Sequence, residues 1–420
     1  MQRKLRVLIV TRLFSGLIQS IVSKKWDPTG IPAIFKIIEG LNRKEMDTDV
    51  LFFCKTVLES KDINNSETFV LDHHAVNNLK FHVVPFRSTK IKSTKLNIVY
   101  NDFFQLIFFV KLILKREFDV VYCDRSNVFL GAVASLFFKR KVFLRLLGFY
   151  PDMKGLFSKF IFKLFSPLTY ISYLAPYAGI HCTQDDSGGE YYLSKIPNRF
   201  AKKKLLLNGV DKKVSSEKEL DGLRKKHHLR DDRPIILYVG KLERSKGCIE
   251  YLDTMLKISS AGCKFYAFII GAGPLAEELK KLIRTYGLEN VVKFVGSVGN
   301  DKIHHYYNLA DIYVHLYLYA SLTNTVLEAM SAGNALVLIS PDKNMHVGEY
   351  IEEIIPQDCA IRFDRGNIVN DLSQKLEFLL NGNINIEILQ EKINNIGPKI
   401  LKSWENRIDE EINLITRSLN

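Results

Sequence analysis

The chain has 420 residues, too many for one ordinary core, so two domains are expected. Hydrophobic residues make up 47% and charged residues 25%, which excludes a disordered or low-complexity chain. The formal net charge of +13 is uneven: residues 1–200 hold 29 Lys and Arg against 17 Asp and Glu, whereas residues 201–420 hold 30 against 29. Nucleic acid, anionic lipid and an anionic substrate are therefore all candidate partners of the first half.

From the start, KLRVLIV (4–10) reads as a buried strand, because RLFSG follows without a signal-peptide cleavage site. IFKIIEGLN (34–42) is helical, and DVLFFC (49–54), FHVVPF (81–86), DVVYC (119–123) and KVFLRL (141–146) are strands. Helices at about 100–117 and 126–138 lie between them, a pattern that predicts parallel βαβ units. FFQLIFFVKLILKREF (103–118), interrupted by Lys111, reads as too short to span a bilayer. PNRFAKKKLLLNGVDKK (197–213) breaks and turns the chain, and marks the domain boundary.

The second half repeats the scheme. IILYVG (235–240), FYAFIIG (265–271), VVKFVG (291–296), DIYVHLY (311–317), ALVLIS (335–340) and CAIRF (359–363) are strands with helices between. PLAEELKKLIRTYG (274–287) is one such helix, with Pro274 in its first turn and Gly287 at its stop. Helix closes the chain from about 371 to 380 and from about 386 to 417. The expected organisation is an N-terminal domain over 1–204, a second over 205–385, and a helical segment over 386–420. Open parallel sheets bind ligands at the carboxyl ends of their strands, so a cleft between the domains is the expected site. The six cysteines show no CxxC and no zinc spacing, which suits a reducing cytosol.

Three stretches have the composition for chemistry. VGKLERSKG (239–247) leaves a strand at Gly240 and enters a helix near Lys246, so its amides, Lys241 and Lys246 suit a phosphate. The alternative is an ordinary surface turn. IIGAGPLAEELKKL (269–282) places Gly271 and Gly273 between strand and helix, but no complete G-x-G-x-x-G follows, which disfavours NAD. In SLTNTVLEAMSAG (321–333), Thr323 or Asn324 is a plausible N-cap, and Glu328 lies about one turn into an apolar helix. An acceptor-only carboxylate there suits the vicinal hydroxyls of a ribose. The alternative is that Glu328 only stabilises the first helical turn. The pairs His73–His74, His227–His228 and His304–His305 carry no metal-binding spacing and read as surface or core residues. Asp185, Asp186 and the Gly188–Gly189 turn follow a strand and either shape an acceptor pocket or serve turn chemistry, and Asp124 and Arg125 likewise either touch an acceptor or pair with each other.

Taken in order, NGVD (208–211), YVGKLERSKG (238–247), FIIGAGPLAEELKKL (268–282), VKFVGSV (292–298), ADIYVHLY (310–317) and NTVLEAMSAG (324–333) resemble the family 4 retaining glycosyltransferases of the GT-B fold. The late SWE (403–405) is also similar to that family. The resemblance is concentrated over about 205–340 and is collinear in the N-terminal domain. It implies an α/β fold of two Rossmann-like domains facing each other across a cleft, the first for the acceptor and the second for a nucleotide sugar. It implies a last helix crossing back to the first domain. It implies that Lys246 and Lys241 contact the donor diphosphate, with Lys241 standing where arginine is usual. Glu328 is then the second acid of E-x7-E and holds the ribose. Gly240, Gly271 and Gly273 line the nucleotide pocket, Asn324 and Thr325 lie near the diphosphate, and Gly16 belongs to a glycine loop over donor and acceptor. Two further departures are Ala320, where the first acid of E-x7-E would stand, and Leu147, where many members have histidine.

The activity implied is transfer from a nucleoside-diphosphate sugar to a saccharide or lipid-linked saccharide with retention. No metal or other cofactor is expected, because lysines and helix-end amides can stabilise the leaving phosphate. Nucleic acid is not expected as a partner, since no zinc-finger, RNP or helix-turn-helix pattern occurs. GLFSKFIFKLFSPLTY (155–170) places Phe157, Phe160, Ile161, Leu164 and Phe165 on one helical face, with Lys159 and Lys163 off it. That pattern fits either peripheral contact with an anionic membrane or a core helix with snorkelling lysines. The expected location is cytoplasmic, with peripheral attachment on the inner membrane face. A nucleotide-sugar 2-epimerase and a non-catalytic GT-B partner subunit are the alternatives.

Overall fold

The computed structural model describes residues 4–87, 94–138, 141–158 and 166–419. The chain forms two compact units: Met1–Thr183 with Gly189–Leu207 and Glu405–Asn420, and Gln184–Gly188 with Asn208–Trp404.

The first unit is built on strands β1 (Arg6–Arg12), β2 (Asp47–Phe53), β3 (Glu67–Phe69), β4 (Lys80–Val84), β5 (Val120–Asp124), β6 (Lys141–Leu146), β7 (Gly179–Thr183) and β8 (Lys202–Leu206). They form one sheet in the order β3-β4-β2-β1-β5-β6-β7-β8. All neighbours are parallel except the short edge pair β3–β4. Central strands read as continuous apolar runs because helices cover both faces. Leu8, Val10, Leu51, Phe53, Val121 and Leu144 contribute to one core. After β4 the chain returns through the helix Thr94–Lys115 and lays β5 beside β1, so strand order reverses between β1 and β5.

That helix corrects one expectation. It begins well before Phe103 and runs for 22 residues. Its segment Leu96–Lys115 is long and apolar enough to cross a membrane by length and composition, with 22% of its most apolar window buried. The added length lies upstream of the dense apolar run, in the stretch of the exposed Leu96, Ile98 and Val99. Of the amphipathic pattern at 155–170, Phe157 is buried with its ring 5.0 Å from that of Tyr173. Phe160, Ile161, Leu164 and Phe165 lie outside the described residues.

The second unit carries β9 (Ile235–Val239), β10 (Tyr266–Ile270), β11 (Val292–Gly296), β12 (Ile312–His315), β13 (Ala335–Ile339) and β14 (Ala360–Phe363). The sheet is parallel throughout, in the order β11-β10-β9-β12-β13-β14. Its order reverses between β9 and β12, and such a point opens a crevice at the carboxyl ends of the strands.

The expected closing helix is two helices, Ile386–Ile400 and Trp404–Arg417. Pro398 lacks an N–H, and the first helix ends two residues later with Leu401 in extended conformation. The first of the pair stays with the second unit, whereas the last belongs to the first from Glu405 onward. A buried charge cluster holds it there. Glu411 accepts from the Tyr122 hydroxyl at 2.5 Å and from Arg407 at 2.9 Å, with His181 at 3.2 Å and the Arg145 guanidinium at 3.7 Å. Burial alone would raise the pKa of this carboxyl, but Arg145 and Arg407 hold it well below the ordinary range.

Candidate functional site

The site is built from loops that leave β9, β10 and β12. Gly240 directly follows β9, and its amide bonds to the Ile270 carbonyl at 3.0 Å. Gly271 has φ +147°, and a Cβ there would stand 1.8 Å from the Gly240 oxygen. A Cβ on Gly273 would stand 2.3 Å from the Leu242 oxygen. Leu242 donates to the Ala272 carbonyl at 2.9 Å, and Leu275 donates to Leu242 at 3.1 Å. The two glycine-bearing stretches are thus one interlocked pair of loops, and the glycines are required by backbone meeting backbone. Pro274 precedes the next helix, which starts at Ala276.

The β9 loop closes in a 3-10 turn, Arg244–Lys246, followed by Gly247 at φ +70°. Lys246 places its ammonium 2.9 Å from the centroid of the Tyr317 ring. Burial pulls its pKa down to about 8, with Glu243 and Asp185 opposing the shift and Lys241 adding to it. Lys241 is exposed and pairs with Glu243 at 2.8 Å. The two cations therefore differ: one is exposed in an ion pair, while the other is half-buried over an aromatic ring.

From β12 the chain passes Tyr317 and Ala320 to the helix Asn324–Ala332. Thr323 is its N-cap without a side-chain capping bond, and its hydroxyl meets that of Thr325 at 2.9 Å. The first amides of such a helix have no intrahelical acceptor and are available to an anion. Asn324 accepts from the Asn208 side chain at 2.7 Å, which joins NGVD to NTVLEAM. NGVD also meets SWE: Val210 donates to the Lys402 carbonyl at 2.9 Å, and the Trp404 amide donates to Asp211 at 3.0 Å.

Glu328 lies beyond the first turn, which contains no acid, so first-turn stabilisation does not account for it. Burial raises its pKa to about 7, opposed by the neighbouring Tyr307 hydroxyl and by Lys213. Tyr307 and Tyr313 are fully buried beside it. Sequence reading did not single out these tyrosines or Tyr317; their only signal was the aromatic density of YYNLADIYVHLYLY (306–319).

The remaining expected residues are divided between the two units. Gly16 lies in the first unit, inside the helix Ser15–Val22 rather than in an open loop. A Cβ there would stand 1.7 Å from the Thr29 oxygen, so the glycine is demanded by the backbone crossing it. Ala320 is buried, and His315 donates from Nε2 to its carbonyl at 3.0 Å. Asp124 and Arg125 do not pair with each other. Asp124 accepts from the Thr11 hydroxyl and the Arg12 amide, and Arg125 pairs with Asp152. Among the described residues, no group of three His, Cys, Asp or Glu side chains is placed to hold a metal.

The fold is GT-B, with two Rossmann-like α/β units. The Anabaena protein Alr3699/HepE, solved with UDP, aligns over 98% of this chain and 100% of its own at TM-score 0.69 and 15% identity. Sucrose-phosphate synthase of Thermosynechococcus elongatus aligns over 99% of both chains at TM-score 0.71 and 15% identity.

Residues 221–399 match the family model of glycosyl transferases group 1. Alpha-D-kanosaminyltransferase of Streptomyces kanamyceticus is 32% identical over 126 residues, covering 30% of this chain and 32% of its own. An uncharacterized glycosyltransferase of Methanocaldococcus jannaschii is 27% identical over 224 residues, covering 51% and 53%. The chain thus spans about a third to a half of the length of these curated relatives.

Proposed function

We propose that the protein is a retaining, metal-independent glycosyltransferase that moves a sugar from a nucleoside diphosphate to a saccharide or lipid-linked acceptor. One observation carries this reading. The Lys246 ammonium over the Tyr317 ring and the uncapped helix start at Asn324 and Thr325 leave neighbouring strands at the reversal of a sheet whose segment 221–399 matches group 1 glycosyl transferases. UDP in the complex of the Anabaena neighbour is consistent with a nucleotide in such a fold.

In this reading Glu328, as carboxylate, accepts from the ribose hydroxyls, and Gly240, Gly271 and Gly273 let the backbone approach the nucleotide. The anomeric C–O bond breaks and its electron pair stays on the β-phosphate. Lys246, Lys241 and the amides near Asn324 and Thr325 stabilise the charge that develops there. The acceptor hydroxyl bonds to the anomeric carbon on the face the phosphate is leaving, and its proton passes to a phosphate oxygen. Acceptors of surface polysaccharide or glycolipid assembly place the enzyme on the cytoplasmic face of a membrane.

Donor binding is measured by saturation-transfer NMR over a nucleotide-sugar panel, and turnover with membrane lipid extract. Lys246→Ala is expected to retain its fold and lose transfer; unchanged turnover at saturating donor overturns the assignment. The departures at the buried Ala320 and at Leu147 favour a non-catalytic partner subunit. Donor that binds but is neither hydrolysed nor transferred would decide for that alternative.

A further inference from the structure

A cavity of about 1000 Å³ lies within the first unit, lined by residues that follow β2 and β5, the strands on either side of β1. Its walls are of two kinds. Val99, Phe103 and Leu106 of the Thr94–Lys115 helix form an apolar wall with Phe129, Leu156 and Leu168. Lys55, Gln105, Arg125 and Asp152 form a polar end. There Lys55 donates to Gln105 at 2.6 Å and lies 3.7 Å from Asp102, while Arg125 pairs with Asp152 at 2.5 Å.

We propose that this cavity takes one hydrocarbon chain of an amphiphilic acceptor whose hydroxylated head rests at the polar end. The volume is at the upper end of the roughly 300–1000 Å³ range of small-molecule sites. An apolar wall of this kind gives a bare saccharide nothing to bond. At the polar end each cation already has a carboxylate neighbour, so the set offers donors and acceptors together, which suits hydroxyls better than a lone phosphate.

The apolar surface does not stop at the cavity. Val99 and Phe103 are 64% and 62% exposed, and Leu96, Ile98 and Leu114 extend the exposed apolar residues along the same helix. A chain leaving the cavity therefore meets a lipid-compatible surface, on the half of the protein that carries the cationic excess and is drawn to anionic headgroups.

That cargo is an acceptor only if the glycosyltransferase reading holds; chain binding itself stands apart from it. The test is calorimetry of the full chain with glucose and with hexyl, octyl and decyl β-glucosides below their micelle concentrations. Affinity should rise about fourfold per methylene until the cavity is full, with glucose alone too weak to measure. Leu156→Trp fills the cavity and Phe103→Asp charges its exposed rim; each should weaken decyl glucoside at least tenfold. Equal affinity across the series, or wild-type affinity in both variants, overturns the proposal. A wild-type dimer in sedimentation that Phe103→Asp dissolves would also overturn it, by giving the apolar face to a second copy. Nucleotide-sugar binding measured on the same samples separates the failures. Chain binding without donor binding removes the glycosyltransferase reading and keeps the cavity; donor binding without chain binding removes only the amphiphile.

Discussion

Two glutamates, a buried one in the first unit and a half-buried one in the second, have been driven in opposite directions. Glu411 sits among Arg145, Arg407, His181 and Tyr122, and its pKa falls well below the ordinary range despite burial. Glu328 sits beside tyrosine hydroxyls, with Lys213 as the opposing cation, and burial lifts its pKa to about 7. The first unit matches buried charge with buried counter-charge, which serves structure. The second holds a half-buried carboxylate and a half-buried ammonium, each only partly offset by opposite charge, which suits a site for a polar ligand.

The comparison breaks most sharply at Glu411. Replacing it with alanine leaves Arg145 and Arg407 buried without their shared partner, at a cost of about 3–5 kcal/mol. Urea unfolding followed by hydrogen exchange should show the loss in the first unit, its Trp404–Arg417 helix included, while the second unit keeps its protection. Lys246→Ala should do the reverse: little change in stability, and a fall in transfer of about 100- to 1000-fold, in the range for losing one stabiliser of developing negative charge. Transfer kinetics at saturating donor check it.

Gly271→Ala sharpens the contrast at the level of backbone. Its φ of +147° and the nearby Gly240 oxygen leave no room for a Cβ, so about 1–3 kcal/mol should be lost from the second unit alone. Thermal unfolding monitored separately for each unit reads this out.

The smallest effect is a pH profile. Glu328 must be ionised to accept from two hydroxyls, so donor affinity should weaken as pH falls through about 7. Lys246 has a depressed pKa and loses its charge as pH rises through about 8, which lowers kcat/KM on the alkaline side. Glu328→Gln should abolish the acid limb and Lys246→Arg should move the alkaline one upward. The raised pKa of Glu328 also means that the folded form holds a proton the unfolded form releases. Stability contributed by that proton is full below pH 4.5 and lost as pH climbs through about 7. Glu328→Gln should therefore be more stable than the parent at pH 8 and equal to it at pH 4.

Much of this molecule is decided locally. Apolar runs such as VLIV and VLFF can only be strands covered on both faces, and the helices between them force parallel pairing, so two α/β units follow from period and composition. The loop residues Lys241, Lys246, Gly271, Gly273 and Glu328 were likewise legible, because each stands at a strand exit or a helix start that the pattern places. What the chain order does not contain is which exits become neighbours. Only strand pairing at β9 and β12 sets the lysine loop beside the Glu328 helix, and only folding returns Glu411 to Arg145. The length of the Thr94–Lys115 helix, the helix around Gly16 and the breadth of the first unit's cavity were decided the same way, by packing between residues far apart in sequence. Burial pushes both glutamates upward, and the arginines that folding brings to Glu411 are what moved the two apart.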